Sequence, residues 1–422
     1  MSKKYLKRIA DEKLKFSLAT SGAVLIVGPK WCGKTRTAEE TAASVIYMQD
    51  PDHSEEYRLL TNSKPSILLE GKTPRLIDEW QTAPVLWNAV RFAVDKRRLR
   101  GQFILTGSVV PPETKDMHTG TGRISRITMR TMSLFESSES TGEISLKDLF
   151  EGKKDMFSES KMTIERIAFT LTRGGWPEAV EEDNEKYAQE MVYNYLDAVA
   201  HQDMSKIDDV ERNPDRVYAL LRSIARNIST QANTQTLLRD LVSNDEELAD
   251  KTINDYISAL KKLYVVEDLP AWSPHLRSKR AIRTTAKRHF SDPSIAAAAL
   301  RADSNKLMSD FKTFGYLFES LCIRDLRVYA DALDGSVYHY RDQQNFEVDA
   351  IIQLKDERWA AVEIKMGASE IEKAAETLIK FSKNIDTDKT PPPSFLMVLT
   401  GTEYAFQMKN GVWVVPIGCL RD

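Results

Sequence analysis

Residues 23–35, AVLIVGPKWCGKT, decide how the first part of this sequence folds. The run AVLIV is too short for a typical helix and rich enough in β-branched residues for a strand buried on both faces. Gly28, Pro29, Lys30, Trp31, Cys32, Gly33, Lys34 and Thr35 then match the spacing G-x-x-x-x-G-K-[ST]. In that pattern backbone N–H groups surround phosphate oxygens, the lysine adds a compact positive charge, and the hydroxyl reaches Mg²⁺. Residues 36–47 are compatible with a helix, which would set the loop at a helix N-terminus, where unpaired N–H groups and the dipole favour an anion, and within this stretch and just beyond it 45–48 also read as a second strand.

Working outward, RLIDEWQ at 75–81 reads as a short apolar strand ending in two adjacent carboxylates. Phosphoryl transfer needs positioned charge around an in-line nucleophile, so Asp78 is expected to hold the Mg²⁺ shell and Glu79 to polarise an attacking water. Residues 85–97 carry Leu86, Val90, Ala93 and Val94 on one helical face, and residues 102–106 form another apolar strand, giving a β-α-β rhythm. That strand ends in Thr106-Gly107-Ser108, whose hydroxyls would lie beside the phosphate site of an open parallel sheet, as turn formers or as sensors of the γ-phosphate. Arg123, Arg126 and Arg130 follow a Gly-containing loop. One of them would neutralise transition-state charge, in cis or from a neighbouring subunit, and Arg123 is favoured.

The whole sequence has 422 residues, more than one core usually organises. With 42% hydrophobic and 29% charged residues and no apolar run near ~18 residues, it excludes a membrane-spanning helix. The first 16 residues are basic but contain Asp11 and Glu12 and no apolar core, so they do not read as a secretory signal, and a cytoplasmic location is expected. Cys32, Cys322 and Cys419 are too few for a disulfide framework or zinc site, and Cys32 reads as a small packed residue. A net charge of −3 means that nucleic acid could be held only by a local basic region. Such a region exists: Arg277, Lys279, Arg280, Arg283, Lys287 and Arg288 occur with no acidic residue between 271 and 291. Six such charges suffice for salt-sensitive contact with phosphates, and a solvated loop is the ordinary alternative.

Three helical patterns at 217–228, 234–241 and 248–263, followed by a β-like run at 264–269, outline a winged helix with 252–262 as its recognition helix. Near the C-terminus a helix pattern at 314–328 contains Glu319, and two strand patterns contain Asp349 and Glu363-Ile364-Lys365. Residues two apart in a strand share a face, so Glu363 and Lys365 would project together, with Asp349 beside them and Glu319 as a fourth member. Two carboxylates and a lysine can hold Mg²⁺ and activate a water for phosphodiester hydrolysis; an ordinary solvated ion pair is the competing reading.

The segments WCGKT at 31–35, LIDEWQ at 76–81, FILTGS at 103–108 and MSLFESSESTGE at 132–143 resemble a large family of prokaryotic AAA-type ATPases. The resemblance runs along nearly the whole chain. It implies an α/β architecture in three parts: a P-loop NTPase (AAA-like) domain over 1–160, a helical lid plus winged helix over 161–301, and a restriction-endonuclease-like α/β domain of unknown function over 302–422. It implies ATP and Mg²⁺ as ligands, with residues 28–35 cradling the nucleotide. Gly174-Gly175-Trp176-Pro177 resembles the Gly-x-Pro element by which related switch ATPases bring a lid to bound nucleotide. Asp349, Glu363 and Lys365 are similar to the PD-(D/E)xK nuclease signature, with Val348 at the proline position. The expected function is an ATP-driven switch; a nucleotide-gated nuclease and a DNA- or protein-binding scaffold are the alternatives, with a homo-oligomer as a further expectation.

Overall fold

The computed structural model describes residues 5–108, 119–207, 210–242, 250–274 and 284–422. The chain forms two compact units. The first comprises Met1–Thr131 with Asp203–Glu211 and Ala259–Tyr264; the second comprises Met132–Gln202, Arg212–Ser258 and Val265–Asp422.

The first unit is built on five strands: β1 (Ala23–Val27), β2 (Ser44–Tyr47), β3 (Arg75–Asp78), β4 (Phe103–Gly107) and β5 (Ile124–Thr128). They are all parallel, in the order β2-β3-β4-β1-β5. The buried run predicted for 23–27 follows from this placement, because β1 is hydrogen-bonded on both sides and covered on both faces. Ala23, Leu25 and Val27 face the helix Val85–Arg97 through Leu86, Trp87 and Val90. Val24 and Ile26 face Leu14 and Leu18 of the helix Ala10–Thr20. The helix after the loop is shorter than expected, Lys34–Glu39, because Val45 and Ile46 pair with Leu76 and Ile77 as an edge strand. Strand pairing wins there over a sequence that is also compatible with a helix.

The second unit begins with β6 (Ile144–Ser145), paired to β16 (Leu420–Arg421), and β7 (Ser158–Glu159). The helices Ile164–Arg173 and Glu185–Ala198 follow. Further along the chain come helices Pro214–Arg226, Thr234–Val242 and Asp250–Lys262, then the antiparallel pair β8 (Val266–Leu269) and β9 (Lys287–Phe290). The first of these helices starts where the sequence dictates: Asn213 accepts hydrogen bonds from the Asp215 and Arg216 N–H groups, and Pro214 occupies the first helical position.

A seven-stranded mixed sheet closes the unit. It contains β10 (Gly335–Arg341), β11 (Glu347–Leu354), β12 (Trp359–Lys365), β13 (Phe395–Thr400), β14 (Tyr404–Gln407) and β15 (Trp413–Pro416), in the order β10-β11-β12-β13-β15-β14-β7. The pairs β10–β11 and β11–β12 are antiparallel, and β12–β13 and β13–β15 are parallel. The helix Ile371–Lys383 packs Ala374, Ala375, Leu378 and Phe381 against Trp359, Ala361 and Val398. The long helix Phe311–Ala332 precedes β10 and carries Glu319. No helix among the described residues is long and apolar enough to cross a membrane.

Candidate functional site

The loop after β1 is shaped by steric necessity. A Cβ on Gly28 would lie 2.0 Å from the Met129 carbonyl oxygen, and its φ of +152° is open to glycine. Trp31, at φ 62°, turns the loop in the left-handed region, and its indole is exposed. For a bulky residue that conformation costs about 1–2 kcal/mol. Cys32 is fully buried, as its reading as a packed residue requires.

Lys34 opens the following helix with its side chain buried. Its Nζ donates to the Gly28 oxygen at 3.0 Å and the Pro29 oxygen at 2.7 Å. Both acceptors are neutral carbonyls of the loop itself, so the ammonium is solvated by dipoles and carries its charge into the place where an anion is expected.

The strand order sets the acidic residues. Because β4 lies between β1 and β3, Thr106 of β4 reaches the end of β3. Asp78 Oδ1 accepts from Thr35 Oγ1 at 2.7 Å and from Thr106 Oγ1 at 2.6 Å. Thr106 also accepts the Glu79 N–H at 3.2 Å. Thr106 is fully buried and braces Asp78 and Glu79 through these two hydrogen bonds. Glu79 sits at φ 53°, a strained position for a side-chain-bearing residue. Its Oε2 accepts from the Gln81 amide and from Ser108 Oγ, the latter at 3.3 Å. The Thr35 hydroxyl and Asp78 carboxylate are hard oxygen donors already within one hydrogen bond of each other, which fits Mg²⁺.

The favoured arginine is not brought to this site. The Arg123 carbonyl accepts the N–H of Ala23 at the start of β1, while the phosphate loop leaves the far end of that strand, about 13 Å away at ~3.3 Å per residue. The Arg123 side chain pairs with Asp95 at 2.9 Å. Arg126 donates to the Tyr264 hydroxyl, and Arg130 lies at the loop end of β5.

Two contacts had no counterpart in the sequence reading. Buried Arg8 donates to the Cys32 oxygen at 2.7 Å and the Arg130 oxygen at 2.8 Å, tying the loop to the end of β5. Lys30, inside the loop, pairs with the buried carboxylate of Asp203. Asp203 ends a five-residue π-helical turn, Val199–Asp203, a local irregularity of a kind that often accompanies function.

In the second unit the four predicted residues do converge. Lys365 Nζ lies 2.9 Å from Glu363 Oε2 and 3.0 Å from Asp349 Oδ2. The strand register explains how Asp349 arrives. Tyr338 pairs with Ile351 but Tyr340 with Val348, so β11 carries one extra residue at 349–350, a bulge that re-aims a side chain. The β11–β12 ladder stops at Ala350 and Val362, and Asp349 Oδ2 itself accepts the next N–H, from Ile364, at 2.9 Å. Glu319 is reached by Lys287, not Lys365: its Oε1 lies 2.9 Å from Lys287 Nζ, which is also 3.8 Å from Asp349 Oδ1.

This corrects the reading of the basic region. Lys287 is buried in the carboxylate cluster, and Arg288 pairs with Asp268 at 3.4 Å. Arg277, Lys279, Arg280 and Arg283 lie outside the described residues.

Burial dominates the protonation of the cluster. It pushes Glu363 up to about 8, with the neighbouring Asp349 charge adding to the effect. It pushes Glu319 up to about 7 against the pull of Lys287. For Asp349 burial acts in the same direction, but Lys287 and Lys365 outweigh it and hold the carboxyl below its usual range. A carboxyl raised on folding binds its proton more tightly in the folded state. Its stabilisation is therefore full below the unfolded value of 4.5 and is lost as pH rises through about 8. The stability advantage of the wild type over Glu363→Gln is thus expected to shrink between those limits, by on the order of 2 kcal/mol, as Lys365 and Asp349 readjust. Urea unfolding of both proteins across that range checks this; a difference independent of pH would show that Glu363 is ionised throughout.

Gly174-Gly175-Trp176-Pro177 is fixed by contacts within the second unit. The Gly175 N–H donates to Asp292 Oδ2 at 2.9 Å, and its carbonyl accepts from the Met132 N–H at 2.7 Å. Trp176 Nε1 donates to Ser294 Oγ at 3.0 Å.

Comparison with known proteins matches residues 20–138 to the family model of an AAA domain. Residues 164–306 and 314–420 match two domains of unknown function (DUF8612 and DUF4143). Uncharacterized proteins of Mycobacterium tuberculosis and Mycobacterium bovis are each 21% identical over 357 residues, covering 82% of this chain and 71% of theirs. Among solved structures, the Walker-type ATPase of Pyrococcus abyssi is similar at 16% identity and a TM-score of 0.42, covering 70% of this chain and 96% of its own. A signal-transduction ATPase with a tetratricopeptide repeat sensor from Pyrococcus horikoshii is similar at 14% identity and a TM-score of 0.26, covering 78% of this chain and 50% of its own. The chain combines an AAA-type P-loop domain at its N-terminal end with two domains of unknown function.

Proposed function

We propose that this protein is an ATP-binding switch of the AAA type that hydrolyses ATP with Mg²⁺ and couples its nucleotide state to a winged-helix and a nuclease-like module. The observation that carries this reading is the hydrogen-bonded chain from Thr35 through Asp78 and Thr106 to Glu79, set beside a buried Lys34 whose acceptors are neutral carbonyls. The loop N–H groups and Lys34 bind the phosphates, and Thr35 and Asp78 would hold the metal, which supplies charge neutralisation to the phosphate oxygens when bound. Glu79 orients the attacking water after leaving Ser108 and Gln81. Arg123, exposed at the end of the strands remote from the phosphate loop, serves as a finger only for a neighbouring copy, which ties that role to a homo-oligomer.

Three helices followed by the β8–β9 pair support a winged helix, with Asp250–Lys262 as its recognition helix. Phosphate contact by the basic region would fall to Arg277, Lys279, Arg280 and Arg283. A second reading, a metal-dependent nuclease, is favoured by one observation: a helix, three antiparallel strands, a helix and a parallel strand bring Asp349, Glu363 and Lys365 together. Release of phosphate from ATP by the full chain with Mg²⁺ tests the first reading. Saturable turnover supports it; no turnover with no bound ATP overturns it.

A further inference from the structure

The carboxylates of the second unit are arranged around lysines. Glu319, Asp349 and Glu363 are joined by Lys287 and Lys365 through contacts of 2.9 to 3.8 Å. A nuclease site of this type needs a divalent cation beside Asp349 and Glu363, yet Asp349, Glu363 and Glu319 are each engaged by an ammonium group, from Lys287 or Lys365. The residues present do not fit the metal that the nuclease signature implies.

The misfit has a specific cause. Lys365 is the signature lysine, but Lys287 comes from β9, outside the strands and helix that carry the carboxylates. It is buried, and its ammonium bridges Glu319 and Asp349. We propose that Lys287 is a tethered cation occupying the metal's place, so that the carboxylate site is closed to divalent ions while β9 stays seated and binds one only when this lysine is withdrawn.

Charge supports the exchange. The Lys287 ammonium, held between Glu319 and Asp349, supplies in that place the positive charge that a divalent ion would otherwise bring. An ammonium has only N–H groups to offer and cannot polarise a bound water as a Lewis acid does, so the cluster as built is stable but unable to perform metal-assisted hydrolysis.

The inference rests on the second reading only for the position of the site. Its readout is metal binding, not cleavage, so loss of the nuclease reading and loss of this inference are distinguishable. The test is Mn²⁺ titration of the full chain without nucleotide, followed by electron paramagnetic resonance of free Mn²⁺ and by thermal unfolding. Lys287→Met is expected to bind one Mn²⁺ at least tenfold more tightly than the wild type and to gain thermal stability from it, with both effects lost when Glu363→Gln is added. Unaltered Mn²⁺ affinity in a folded Lys287→Met protein would overturn the proposal. Should Lys287→Met fail to fold, the wild type and Glu363→Gln alone decide: Mn²⁺ binding by the wild type that disappears in Glu363→Gln would show the metal site open with Lys287 in place and overturn it, and equal weak binding by both would support it.

Discussion

Glu79→Gln is expected to lower ATP turnover by roughly 10²- to 10³-fold while leaving ATP affinity within about threefold of the wild type. The substitution keeps the size of the side chain and an oxygen able to accept from Ser108 and Gln81, so the turn at φ 53° is retained. What it removes is the negative charge that aligns and polarises a water. Because the Glu79 carboxylate shares no hydrogen bond with Lys34 or Thr35, the phosphate-binding half of the site should be untouched. Single-turnover phosphate release beside calorimetric ATP titration separates the two quantities. Turnover equal to the wild type would place the water-positioning role elsewhere and leave Glu79 as a structural turn.

Asp292→Ala is expected to destabilise the second unit by about 3 kcal/mol or more. Asp292 is fully buried and holds Arg324, Gly175 and Ser294 among its partners. Its Oδ2 lies 3.0 Å from Arg324 Nη1 and accepts the Gly175 N–H at 2.9 Å, and its Oδ1 accepts the Ser294 N–H at 2.9 Å as the cap of helix Pro293–Ala299. Loss of the cap alone costs about 1 kcal/mol, and an orphaned buried N–H about 1–3 kcal/mol. Arg324 would keep Asp325, at 2.7 Å, which limits the damage to its charge. Asp292→Asn retains an acceptor for the cap and should cost less than half as much. Denaturant unfolding monitored in both variants checks the order; equal losses would show that charge, not hydrogen bonding, is what the position supplies.

The parts of the site legible in the sequence are those whose geometry is local. The loop at 28–35 follows β1 directly, and Asp78 and Glu79 end the next acidic strand, so spacing alone places them. Glu363 and Lys365 meet because a strand has period two. The parts that were not legible depend on strand order or on distant partners. Arg123 stands at the beginning of a strand parallel to β1, and in a parallel sheet that end is remote from the phosphate loop; recognising 124–128 as a strand would have revealed it. Lys287 looks like one of six solvated charges until β9 pairs with β8 and places it beside Glu319. Arg8 and Asp203 have no local pattern that marks them, since their partners in the loop lie far along the chain.

The most direct measurement is calorimetric titration of ATP with Mg²⁺ into the wild type and into Lys34→Ala. The hydrogen bonds of Lys34 Nζ go to the carbonyls of Gly28 and Pro29 of its own loop, so its loss should cost little stability while removing a buried cation from that loop. Saturable binding by the wild type and at least a hundredfold weaker binding by a folded Lys34→Ala protein are the predicted results. Equal ATP affinity in the two proteins would contradict the assignment of residues 28–35 as the nucleotide site.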